Sequence, residues 1–138
     1  MSDLKLFHLG KQDKLRYLKL IEKINPKHKD EIILVLGEKI QDILKEGKIN
    51  SIEIELINEM ARFVKIFESF KNLPENIVKK ILFAMSYFID DEDEIPDIVP
   101  KYGYLDDIVV VRWIVSEINK KLPEIGVAQL ILPLKNLL

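Results

Sequence analysis

Apolar side chains recur at three- and four-residue steps along almost the whole chain, which is the spacing of amphipathic helices. Leu15, Leu18, Ile21 and Ile24 place one stripe on a helix over about 12–24. Asn25-Pro26 stops it, because proline has no amide hydrogen and restrains the residue before it. A second helix over about 28–46 shows Ile32, Ile33, Leu36, Ile40, Ile43 and Leu44 on its buried face, and Gly47 stands where a left-handed cap ends such a helix. Asn50 and Glu53 form a capping-box pair at the start of a third helix. Its stripe reads Ile57, Met60, Ala61, Val64, Phe67 and Phe70 up to Asn72-Leu73-Pro74. The fourth helix, with Pro74 in its first turn, buries Ile77, Ile81, Leu82, Met85 and Phe88.

The pattern breaks over 90–104, where Pro96, Pro100 and Gly103 punctuate the chain. A fifth helix over about 105–121, ended by Pro123, follows. From Ile108 to Val115 it is apolar on almost every side, as befits a helix central in a bundle or covered by a partner. Its β-branched residues make a strand the rival reading, but length and the lack of a partner strand favour helix. The apolar tail beyond Gly126 keeps helical spacing up to a kink at Pro133. The expected fold is all-α: one domain over 1–138, a bundle of about five main helices with a Pro/Gly-containing acidic loop between the fourth and fifth.

Composition narrows the classes. With 48% hydrophobic and 32% charged residues among 138, the chain has enough apolar surface to fold, which excludes a disordered chain. A formal net charge of −2 argues against a dedicated nucleic-acid binder. The absence of cysteine removes disulfides, thiolate zinc sites and a cysteine nucleophile. No stretch reaches the roughly 18 apolar residues of a membrane span, and the first residues do not read as a signal peptide. A cytoplasmic protein is the expectation.

Candidate chemistry concentrates in the acidic loop. Asp90, Asp91, Glu92, Asp93, Glu94, Asp97, Asp106 and Asp107 are opposed only by Lys101 within eighteen residues. Clustered oxygen ligands suit a hard divalent cation, with Asp93, Asp97, Asp106 and Asp107 as candidate ligands, although the spacing is not that of an EF-hand. The plainer reading is a solvated loop whose last two aspartates oppose the macrodipole of the fifth helix. Arg112 interrupts an otherwise apolar run. A charge there calls for a carboxylate, Asp97 first and Asp93 or Asp107 next. The two histidines, His8 and His28, have no catalytic companions in sequence, and phosphate-loop, nucleophile-elbow and zinc-protease motifs are missing. Residues 1–50 carry eleven Lys or Arg against eight acids, a mild surplus that suits a solvated surface or weak contact with anionic lipid.

The segment Asp93-Glu94-Ile95-Pro96-Asp97-Ile98-Val99-Pro100, followed by Gly103-Tyr104-Leu105-Asp106-Asp107 and an apolar helix, resembles the YkvA-like domain of unknown function over about 77–115. The resemblance implies a helix–loop–helix built on Asp93, Pro96, Asp97, Pro100, Gly103, Asp106 and Asp107, and Arg112 joins these candidate motif residues through its place in the apolar run that follows. It implies no reaction. The resulting expectation is a non-enzymatic helical interaction or regulatory module, self-associating or bound to a protein partner, with no resident cofactor. The alternatives are a metal-binding protein or metal-dependent enzyme using the acidic loop, and a peripheral membrane adaptor touching the membrane surface.

Overall fold

The computed structural model describes residues 9–90 and 105–125, with side chains from 106 to 121 in the second stretch. The described residues form five helices and no strand: α1 (Lys11–Glu22), α2 (Lys29–Lys45), α3 (Ser51–Ser69), α4 (Glu75–Ile89) and α5 (Leu105–Ile125), with a 3-10 turn at Pro26–His28 between α1 and α2. The all-α expectation holds for them.

Local chemistry sets most boundaries. The Asp13 carboxylate accepts from the Gly10 amide at 3.1 Å and closes the start of α1. Asn50 Oδ1 accepts from the Glu53 amide at 2.8 Å while Glu53 Oε1 accepts from the Asn50 amide at 3.2 Å, the reciprocal pair that the sequence announces. Gly47 has φ of 75°, a conformation in which a β-carbon would be strained, and so ends α2. Pro74 sits one residue before α4 as its N-cap rather than inside the first turn. At the far end, α5 runs past Pro123 to Ile125, where the sequence predicts a stop. A proline in a last turn forfeits one intrahelical hydrogen bond, a cost that flanking helical residues can offset.

The hub is α4, not the apolar fifth helix. Nine of its fifteen residues are buried, from Ile77 to Phe88, and it packs against α1, α2 and α5. The fifth helix packs on α4 and α3. Its buried residues are Asp106, Asp107, Ile108, Val110, Val111, Ile114 and Ile118. Three stripe positions come out differently from the sequence reading: Leu15 and Leu44 are 52% and 50% exposed, and Ala61 is exposed. In α1 Tyr17 takes the inner face beside Ile21, and in α3 Leu56 and Phe63 take it beside Phe67, because burying an aromatic ring removes more apolar area from water than burying a leucine or an alanine.

Candidate functional site

The polar centre of the core is the first turn of α5. At about 100° per residue, Asp107 shares one helix face with Val111, Ile114 and Ile118, at steps of four, three and four. Those three side chains are in the core, and Asp107 goes in with them at 0% exposure, beside Asp106 at 7%. Two adjacent carboxylates taken out of water are costly unless donors and a favourable field offset them. The start of α5 supplies the positive end of the helix macrodipole. A neighbouring helix supplies a donor: Tyr87 of α4 gives its hydroxyl hydrogen to Asp106 Oδ2 at 3.2 Å, in a buried bond.

An aromatic nest surrounds that bond. The Tyr17 hydroxyl of α1 lies 3.5 Å from that of Tyr87, and the two rings meet edge to face at 5.8 Å. Phe83 stands 5.4 Å from Tyr17 and 6.0 Å from Tyr87, and Trp113 stands 6.2 Å from Tyr17. Thus α1, α4 and α5 meet where the chain leaves α4 and where it returns as α5. On the other side, Lys39 of α2 donates to the carbonyls of Phe88 and Ile89, the latter at 3.3 Å, and its ammonium sits 5.0 Å above the Phe88 ring. A cation on the last carbonyls of a helix satisfies acceptors that have no intrahelical donor and opposes the negative end of the dipole.

Arg112 corrects the sequence reading. Its partner is Glu55 of α3: Nε and Nη2 each donate to a different carboxylate oxygen at 2.7 Å, a bidentate fork. The guanidinium is 54% exposed, so it is not a buried charge in search of a loop aspartate. The reason is angular. Arg112 lies about 140° around the helix from Asp107, on the side away from the stripe that enters the core. The hydrogen bonds from Arg112 hold the Glu55 carboxyl below the usual carboxylate range, and those same bonds raise Arg112. A second ionic pair is buried: Arg62 bonds Glu59 at 3.0 Å, with its guanidinium 7% exposed and its Nε without a hydrogen-bond partner among the described residues.

Asp93, Pro96, Asp97, Pro100 and Gly103 lie outside the described residues, so of the expected motif Asp106, Asp107 and Arg112 are described. The structure brings the first two together and turns the third away. Among the described residues no group of three or more histidine, aspartate or glutamate side chains is placed to hold a metal ion, and no helix is long and apolar enough to cross a membrane. A cleft of about 340 Å³ between α1 and α4 is lined by Leu18, Ile21, Glu22, Glu75, Asn76, Lys79 and Lys80. Its charges pair among themselves and with α5: Lys79 donates to the Glu22 carbonyl at 3.0 Å and lies 3.7 Å from Glu75, while Lys80 lies 3.9 Å from Glu117.

Sequence reasoning passed over three residues here. Nothing in a single sequence says that the Tyr17 and Tyr87 hydroxyls meet each other or that the latter meets a carboxylate. Glu55 is 57 residues from its partner. The burial of Asp107 had a signal, its helical register with Val111, Ile114 and Ile118.

Residues 78–113, 36 of the 138, match the model of a family described as a protein of unknown function (DUF1232). The match runs from the first turn of α4 through the acidic segment to Trp113, and so contains Tyr87, Asp106, Asp107 and Arg112. No curated protein and no solved structure matches the chain.

Proposed function

We propose that this chain is a non-enzymatic interaction module of YkvA-like type, cytoplasmic and self-associating, which offers its acidic segment to a cationic surface of a protein partner. The observation that carries the reading is the buried bond from Tyr87 to Asp106, which ties the helix before the segment to the helix after it. With Lys39 on the last carbonyls of α4, it anchors both ends of a stretch that holds six carboxylates between residues 90 and 97. Closely spaced like charges repel one another, and a cationic partner relieves that repulsion while gaining long-range steering. The described polar groups of the motif support this role because they serve the packing of the helices that frame the segment.

The experiment is a binding titration of the full chain with fluorescent deca-lysine, alongside divalent cations and phosphatidylserine vesicles. Saturable deca-lysine binding that weakens in a Asp93→Asn, Asp97→Asn double variant and falls steeply with salt is expected. A rise of several degrees in melting temperature with Ca²⁺, Mg²⁺ or Mn²⁺, lost in the same variant, replaces this reading with a divalent-cation site. Binding to the vesicles alone replaces it with a membrane-surface adaptor.

A further inference from the structure

We infer that the cleft between α1 and α4 is a binding site for a small aliphatic carboxylate, whose acid group meets the ammonium of Lys80 while its chain lies on Leu18 and Ile21. The acidic segment takes no part in this site, which stands apart from the interaction role proposed above.

Lys80 carries the assignment. It is 9% exposed, and an ammonium so far from water calls for hydrogen-bond acceptors. Among the described residues its one polar contact is Glu117 Oε1 at 3.9 Å, beyond hydrogen-bond reach. Glu117 is served elsewhere, because Lys120 donates to its other oxygen at 2.9 Å. A methionine fills the same space without the cost of burying a charge, so packing does not explain the lysine. The cleft does. Lys80 lines it, and a carboxylate seated there takes up the donors that the chain leaves unused.

Size and charge select the ligand. A volume of about 340 Å³ is at the small end for ligand pockets and admits a short chain, not a large cofactor. Leu18 and Ile21 of α1 supply an aliphatic wall. The four charged residues of the lining cancel formally, Glu22 and Glu75 against Lys79 and Lys80, but they differ in depth. Glu22 and Glu75 are exposed, the latter with its side chain at 68%, so water screens them. Lys79 lies 3.7 Å from Glu75 and offsets it at the rim. Lys80 alone of the four is buried, which makes the inner end of the cleft positive. Glu117 approaches it from α5 with its own counter-charge in Lys120. Of the two helix ends at the cleft, α4 presents its positive one, while Lys79 satisfies the Glu22 carbonyl at the negative end of α1 at 3.0 Å. An anion with an apolar tail meets both halves of this lining, and a bare ion or a neutral chain meets one.

The test is titration of the full chain with hexanoate, followed by calorimetry and by the methyl NMR signals of Leu18 and Ile21. One-site saturable binding is expected, with a dissociation constant on the order of 0.1–1 mM for a ligand of about eight heavy atoms, and with both residues' methyl signals shifted. Lys80→Met should weaken it about tenfold or more, the loss of a charge-assisted hydrogen bond, without lowering the melting midpoint. Lys48→Met, at an exposed lysine outside the cleft, should leave it unchanged. Hexanol and hexylamine should bind about tenfold more weakly than hexanoate, and acetate likewise. Hexanol or hexylamine binding as tightly overturns the carboxylate, and acetate binding as tightly overturns the aliphatic wall. Unmoved Leu18 and Ile21 signals, an unchanged affinity in Lys80→Met, or no binding up to about 10 mM overturns the site. Should Lys80→Met fail to fold, the methyl shifts and the hexanol comparison on the wild-type chain decide the matter.

Discussion

Asp106 and Arg112 sit less than two turns apart on α5, and their surroundings differ in kind. Asp106 is 7% exposed and accepts a hydroxyl from Tyr87 inside an aromatic nest. Arg112 is exposed and holds Glu55 in a two-pronged fork with ideal distances. By geometry the fork is the stronger contact. By consequence the buried bond matters more, since water replaces what a broken surface pair loses and cannot reach a broken buried one. The comparison teaches that the residue that looks anomalous in sequence need not be the one under energetic stress.

The sharpest way to break this contrast is Tyr87→Phe, which leaves the shape of the nest unchanged and removes one donor. It is expected to cost about 1–3 kcal/mol, since a buried carboxylate loses a donor that water does not replace. Urea unfolding followed by circular dichroism measures it. A loss below about 0.5 kcal/mol would mean that the 3.2 Å contact contributes no more than a surface bond. A reference value comes from Asn50→Ala, which removes the cap of α3 and is expected to cost about 1 kcal/mol in the same assay.

How far the fold was legible follows the same division. Helix positions and caps are local, so Asn50 with Glu53, Gly47 and the Asn25-Pro26 stop could be read from neighbours in sequence. Faces were harder. Leu15 on α1 and Leu44 on α2 fit an apolar spacing but are half exposed, because each of these helices carries more apolar positions than one face can bury. Of the candidate site, the placement of Asp106 and Asp107 in the first turn of α5 was readable. Their burial was readable only from the register of Asp107 with Val111, Ile114 and Ile118. The pairing of Arg112 with Glu55 was not, because it depends on how α3 crosses α5, a tertiary outcome that no local pattern encodes.

A smaller effect sharpens the comparison from the other side. Lys80 and Glu117 are partly buried, with side chains 11% and 21% exposed, yet 3.9 Å apart. Desolvating an ammonium for so long a contact gains little, and a methionine of similar volume avoids that cost. Lys80→Met is expected to be neutral or stabilising by up to about 1 kcal/mol, read as a raised midpoint of thermal unfolding. A clear loss would show that a buried charge in this core is held better than its distance suggests.

The smallest effect belongs to the fork. Arg112→Met is expected to cost under about 1 kcal/mol, because both side chains are more than a third exposed and solvent screens them. Its pH dependence identifies the source of whatever it costs. The Glu55 carboxyl is held below its ordinary range by the hydrogen bonds from Arg112, so its contribution is fully present above the pKa of an unfolded glutamate. That contribution disappears as pH falls through the lowered folded value. Arg112 is raised, so its side of the pair is lost only in strong alkali. The stability difference between wild type and Arg112→Met should therefore be constant from about pH 8 to about pH 5 and shrink below about pH 4. Glu55→Gln should show the same profile, and the double variant should add nothing further at acid pH. A difference that persists undiminished in acid would assign the effect of Arg112 to the packing of its aliphatic stem on α3, leaving the fork as geometry without electrostatic weight.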